Sequence, residues 1–336
     1  VLSPVYLVGG SVRDALLGRQ FEDLDFTTPL DPDRVEALVR AAGRRPYLIG
    51  KKFGTVGFKI DGHIAEVTTF RTETYPEGTK PRVSFVDKLE DDLSRRDFTI
   101  NAMALDADEI VDPFGGQRDL EQRVIRAVGD ASERFAEDPL RMLRAARFAS
   151  QLAFDVHPDT VAAMRELADR IMLVARERWN AELDKLLMGP GVSAGMRLLA
   201  ETGLLRYLLP ELQLQVGLAE KALGSDDAGR AGSGRAGSGR AGAGRAGSAA
   251  TSLFERTLAA VESAEPDITK KWAALLGNVA EPYAHPATPD SLPSRRDLIA
   301  GALAERIALY LKWSTQRRRD VVAAVEEHAR HEMPGV

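Results

Sequence analysis

Residues 224–249, GSDDAGRAGSGRAGSGRAGAGRAGSA, repeat a five-residue unit that sets Arg230, Arg235, Arg240 and Arg245 among glycine, alanine and serine. A stretch without large apolar side chains cannot bury a core, so it reads as a disordered linker. Whatever folds must therefore fold on either side of it. An RNA tether built on these arginines would need interleaved aromatics, which are absent, so the linker reading is favoured. With 336 residues, 44% of them hydrophobic, the flanks can hold more than one core. The expected division is a head over 1–127, a helical neck and body over 128–223, the linker over 224–249, and a second helical region over 250–336.

The chain has no cysteine. That excludes disulfides, thiolate zinc sites and a cysteine nucleophile, and suits a reducing cytoplasm. No apolar run reaches the length of a membrane span, and the first residues lack the basic start of a secretory signal. The net charge of −5 argues weakly against general adhesion to nucleic acid. Seven basic residues against two acids between Arg295 and Arg319 could meet phosphates, and a solvated helix face explains them equally well.

The head mixes two periodicities. VYLVGG reads as a short strand ending in glycines, SVRDALL as a helix stopped by Gly18, and FEDLDFTT as an alternating strand. DPDRVEALVRAAG reads as a helix. VGFKIDGHIAEVTTFR reads as a hairpin turning at Asp61-Gly62, and RRDFTINAMALD as a helix or helix entry packed on the sheet. From about Phe135 to Leu208 the pattern is helical, and it resumes at Ser252 with a Pro-rich break over 282–293. The fold class is α+β: a small mixed sheet with helices, then an all-α body.

Asp23 and Asp25 are two residues apart on a strand, so their side chains share a face while Leu24 and Phe26 face the core. Their Cα atoms lie roughly 6.6 Å apart, a spacing from which two carboxylates converge on metal ions roughly 3.5–4 Å apart. Mg²⁺ suits such a site, because it takes few carboxylates and completes its shell with phosphate oxygens and water. Many strands end in solvated acids, so the pair alone is weak. Gly9 and Gly10 strengthen it by letting a phosphate approach the backbone at a helix start, with Arg13 one turn on as a clamp. Asp138 and Arg141, spaced i, i+3, either form a surface ion pair worth about 0.2–0.5 kcal/mol or read a base. A carboxylate acceptor beside a guanidinium donor matches the edges of cytosine and adenine and leaves uracil and guanine with a carbonyl facing the carboxylate.

At this point the residues resemble a known family. LVGGSVRDALLGRQFEDLDFTT is similar to the signature of class II tRNA nucleotidyltransferases (CCA-adding enzymes) and bacterial poly(A) polymerases, in the polymerase-β-like nucleotidyltransferase superfamily. Arg95-Arg96-Asp97-Phe98-Thr99-Ile100-Asn101-Ala102, Asp112-Pro113-Phe114-Gly115-Gly116 and Glu137-Asp138-Pro139-Leu140-Arg141 follow in order. Glu177-Arg178 with Glu182 and Lys185 is a looser match. The resemblance covers roughly residues 5–210. It implies Mg²⁺-dependent transfer of CMP or AMP from CTP or ATP to the 3′ end of tRNA, in the cytoplasm. It further implies that Asp23 and Asp25 are the catalytic metal ligands, with Gly9, Gly10 and Arg13 on the triphosphate. Arg95, Arg96, Asp97 and Asn101 would line the sugar and phosphate side, and Asp138, Arg141 and Arg144 the base. Glu66 is a weaker candidate for a third carboxylate.

Two regions depart from the family. After the linker, Arg256 and Gly277-Asn278 stand where many relatives carry the ligands of an HD metal site, so no phosphohydrolase activity is expected. His285, His328 and His331 suggest only surface or core histidines. TETYPEGTKPRVSF replaces a loop with an acid and paired arginines by Glu77 and Lys80. The alternatives to full CCA addition are an enzyme adding only CC or only A, a poly(A) polymerase, and an inactive RNA-binding paralogue.

Overall fold

The computed structural model describes residues 4–20, 23–74, 82–107, 109–216, 218, 252–283 and 293–331. The expected linker, Glu77, Lys80 and His285 lie outside them. Two compact units divide at Leu208 and Leu209, so the head and the neck helices fall in one unit.

In the first unit, β1 (Tyr6–Val8) leads into α1 (Gly10–Leu16), then β2 (Asp23–Thr28) and α2 (Pro32–Ala41). α2 starts at Asp31, whose side chain accepts from the Arg34 amide, and it has Pro32 at a position where the missing N–H costs nothing. β3 (Thr55–Ile60) and β4 (His63–Thr69) form the expected hairpin, with Ile60 opposite His63. Its two-residue turn has φ of 50° at Asp61 and 90° at Gly62, the left-handed pair that such turns require. A second hairpin joins β5 (Arg71–Thr74) to β6 (Arg82–Phe85) and is followed by α3 (Leu89–Ser94).

β7 (Ala104–Asp106) and β8 (Glu109–Val111) complete a six-stranded sheet in the order β3-β4-β2-β1-β7-β8. Of the helix or helix entry expected over RRDFTINAMALD, a single turn forms and the end becomes sheet. Thr99–Asn101 form one helical turn, and Ala104–Asp106 pair antiparallel with β1. Three residues carry no readable period, and the free edge of β1 decides their conformation. Val35 and Val39 of α2 pack on Val56 and Val67, with Phe26 against them as the alternation of β2 required. Val8, Ala104 and Phe70 pack beneath Leu89 and Leu93.

α4 (Gly116–Glu121) and β9 (Val124–Ile125) lead to α5 (Ala131–Glu137) and α6 (Leu140–Leu152). β10 (Asp155–Val156), α7 (Pro158–Glu166), α8 (Arg176–Leu187), α9 (Val192–Glu201) and α10 (Leu205–Leu208) follow. α6 is buried almost all round, the mark of a central helix. α9 approaches it closely at Gly195, where a Cβ would lie 2.7 Å from the Ala146 carbonyl oxygen.

The second unit holds α11 (Pro210–Gln213), α12 (Leu253–Ser263), α13 (Ile268–Gly277), α14 (Pro293–Tyr310) and α15 (Thr315–His331). Trp272 and Trp313 meet edge to face at 4.8 Å. Gly277 lies so close against the His328 imidazole that a side chain there would meet the ring. A buried chain runs from the Thr257 hydroxyl to Gln215, whose amide donates to the Asn278 carbonyl. Among the described residues no helix is long and apolar enough to cross a membrane.

Candidate active site

A cavity of about 800 Å³ in the first unit is lined by twelve of the residues singled out from the sequence, Glu66 not among them. These are Gly9, Gly10, Arg13, Asp23, Asp25, Arg95, Arg96, Asp97, Asn101, Asp138, Arg141 and Arg144.

The glycine loop and the acid strand are joined by a residue the motif reading passed over. Ser11 Oγ donates to the Asp23 carbonyl at 3.0 Å and accepts from the Asp25 amide at 3.2 Å. The start of α1 is thereby docked onto the two positions that carry the carboxylates. Gly9 has φ 68° and ψ −134°, a region open essentially to glycine alone. A Cβ there would also sit 2.8 Å from Arg96 Nη1. Gly9→Ala should cost about 1–3 kcal/mol of backbone strain and move Arg96. The measurement is a urea midpoint beside nucleotide affinity; unchanged values for both would refute this role.

Asp25 and Glu66 lie opposite each other in the parallel pairing of β2 with β4. Burial raises the Asp25 pKa, Arg96 opposes the rise, and Asp23 adds to it. The Glu66 pKa is raised by burial, then by Asp25 and Asp23. Glu66 does not line the cavity. Among the described residues no three carboxylates, histidines or cysteines gather for a metal ion. The donor set is therefore Asp23 and Asp25, two carboxylates that repel each other and face open space. That set fits a hard divalent cation whose remaining ligands are phosphate oxygens and water.

Most of the cations opposite are held by protein acids. Arg13 makes a bidentate contact with Asp14 and donates from Nη1 to Asn101 Oδ1 at 2.6 Å. Asp97 Oδ1 accepts from the Phe98 amide and from Asn101 Nδ2, and Oδ2 accepts twice from Arg144. All four acceptor positions of Asp97 are thus filled, so this side chain orients Arg144 and Asn101. Arg95 and Arg96 share the fully buried Asp92. Arg147, also missed by the motif reading, lies 3.6 Å above the Phe148 ring and pairs with Glu182. Burial pulls its pKa down to about 10.

Asp138 and Arg141 do not form the helical ion pair that their spacing allows. Asp138 precedes α6 in extended conformation, φ −137°. It accepts from the Leu140 amide and from Arg178, 40 residues on. Arg141 donates to Glu137 and to the carbonyls of Arg134 and Arg95. Three of its five N–H groups are engaged, which leaves two for a ligand.

Two family profiles match in tandem: the Poly A polymerase head domain over residues 5–126, and the probable RNA and SrmB-binding site of polymerase A over residues 153–215. The fold aligns over 98% of this chain with the crystal structure of the Bacillus stearothermophilus CCA-adding enzyme in complex with CTP, covering 74% of that chain at 32% identity and a TM-score of 0.62. The chain belongs to the family of CCA-adding tRNA nucleotidyltransferases and poly(A) polymerases. It is 48% identical over 219 residues to the CCA-adding enzyme of Geobacillus thermodenitrificans, covering 64% of this chain and 52% of that one. With the enzyme of Levilactobacillus brevis the identity is 47% over 205 residues, covering 60% and 51%. This tRNA nucleotidyltransferase-family chain therefore spans about half the length of the curated relatives it matches. A tRNA nucleotidyltransferase complexed with a primer tRNA and an incoming ATP analog is also similar, at 30% identity and a TM-score of 0.51, over 63% of this chain and 64% of that one. Divalent-metal dependence comes with the family.

Proposed function

We propose that this chain adds CMP and AMP from CTP and ATP to the 3′ end of tRNA, without a nucleic-acid template and with Mg²⁺ at Asp23 and Asp25. The observation that carries the reading is the opening of an acid pair, a glycine loop and the Asp138–Arg141 pair into one cavity. The RNA 3′-oxygen attacks the α-phosphorus, the bond to the β-phosphate oxygen breaks, pyrophosphate leaves and the hydroxyl proton passes to solvent. Asp23 and Asp25 would hold the divalent cations, which would supply activation of that hydroxyl and neutralisation of the departing pyrophosphate. Gly9 and Gly10 give the triphosphate close backbone approach, and Arg13, fixed by Asp14 and Asn101, faces its charge. Asp138 accepts from the exocyclic amino group of cytosine or adenine, and Arg141 donates to the adjacent ring nitrogen. A uracil or guanine carbonyl would face the carboxylate without a donor, and sites built on such pairing reject the wrong partner strongly. The absence of cysteine suits work in the reducing cytoplasm.

The test incubates the protein with Mg²⁺, each labelled nucleotide, and tRNA transcripts ending before CCA, after CC, or complete. CCA addition predicts CMP on the first, AMP on the second and nothing on the third. Unlimited AMP addition would instead identify a poly(A) polymerase, and no incorporation anywhere would refute the enzyme. Asp138→Asn, which presents an amide to the base, should cut the preference for CTP over UTP by about 100-fold. An unchanged preference would refute base reading at Asp138.

A further inference from the structure

Asp138 does not stand alone at the base end of the cavity. Arg178, the third residue of α8, reaches it with Nη2 at 2.7 Å from Oδ2 and Nη1 at 3.4 Å from Oδ1. The Leu140 amide donates to Oδ1 at 3.1 Å. A carboxylate has about four acceptor positions, and three are taken by these donors. The one left is on Oδ2, and one acceptor is what an exocyclic amino group requires. Arg178 is about half exposed and lines the same cavity, whereas the Asp138 side chain is largely buried. The arginine is therefore in no sense needed to fill the core. Its fork holds the plane of the carboxylate that faces the ligand.

We infer that Arg178 is a specificity-determining positioning residue, which orients the Asp138 carboxylate so that a single acceptor is offered to the incoming base. The inference rests on the base-reading role proposed for Asp138. Without the fork, the carboxylate keeps only the Leu140 amide and is free to turn about its side-chain torsions. A turned carboxylate can take up water between itself and a carbonyl, and that removes the penalty against uracil and guanine. Lysine at the same position keeps the charge and one donor but lacks the planar fork, so it should restore the orientation only in part.

The experiment compares kcat/KM for CTP and UTP in the parent chain, Arg178→Ala, Arg178→Lys and Asp138→Asn on one tRNA transcript. Arg178→Ala should lower the CTP-to-UTP ratio by about tenfold, the size of one charge-assisted hydrogen bond. The gain should appear chiefly as a lower KM for UTP, and Arg178→Lys should lie between Ala and the parent. If Arg178 merely braced α8 against α6, Arg178→Ala would slow every nucleotide in proportion and leave the ratio fixed. That result would overturn the inference while Asp138→Asn still collapsed the ratio. A ratio that survives Asp138→Asn would overturn the base-reading role as well.

Discussion

An Asp25→Asn chain should transfer nucleotide at least about a thousandfold more slowly than the parent, as expected for loss of a central electrostatic group, and yet melt no earlier once divalent ions are chelated. The two halves of this result have one cause. Burial and the neighbouring Asp23 disfavour the charge on Asp25, and Arg96 offsets them only in part. An acid whose folded pKa is raised binds its proton more tightly in the folded chain, so at neutral pH its ionised form costs stability. Asparagine keeps the shape and removes that cost. The backbone of residue 25 stays tied through its amide to Ser11 Oγ, so the strand need not shift. A local instability kept in place at a site usually reflects a function that needs it. Single-turnover incorporation of labelled CMP measures the first half, and thermal unfolding in EDTA the second. Transfer within tenfold of the parent would remove Asp25 from the reaction. A melting temperature lower by several degrees would make it a structural residue instead.

Asp23 and Asp25 were legible in the sequence because alternation in a strand is a purely local property. The same holds for the turn at Asp61-Gly62. Ala104–Asp106 were not, since three residues become a strand only when the edge of β1 is there to pair with them. The site divides in the same way. Residue types and order marked Gly9, Gly10, Arg13, Asp23 and Asp25, and the family resemblance brought in the other seven of the twelve and gave them roles. What each side chain actually holds depends on partners far along the chain: Arg13 on Asn101, Arg144 on Asp97, Asp138 on Arg178. The spacing of Asp138 and Arg141 left open whether they hold each other or a base. The extended conformation at Asp138 prevents the first, and that conformation follows from Pro139, which disfavours a helical preceding residue. Ser11 leaves only a weak local signal, since a small hydroxyl residue after two glycines is common in turns.

Asp97→Asn should lower the unfolding free energy by about 3–5 kcal/mol at neutral pH, the cost of removing one partner from a buried ion pair. Asp97 is 7% exposed and every lone pair it has is in use. Burial works against its charge, but Arg144, the Asn101 hydrogen bond and Arg147 outweigh it, and its pKa falls well below the ordinary 3.8. Arg144 is correspondingly raised, first by Asp97. An amide in this place donates where Arg144 needs an acceptor, and it leaves Arg144 with the 3.4 Å contact to Glu182. The sign of the pH dependence follows from linkage. For a carboxylate with a depressed folded pKa, the stabilisation is fully present above the unfolded value and is lost as the pH falls through the folded one. The gap between parent and variant should therefore be widest at neutral pH, begin to narrow as the pH drops through about 3.8, and close only below the folded-state pKa. Asp92, whose pKa is also lowered because Arg95 and Arg96 overcome its burial, destabilises both proteins together in acid and so leaves the gap unaffected. Urea midpoints of the two chains across the acid range measure it directly. A gap under about 1 kcal/mol at neutral pH, the worth of an exposed pair, would mean that solvent already screens Asp97 and that Arg144 is positioned by something else.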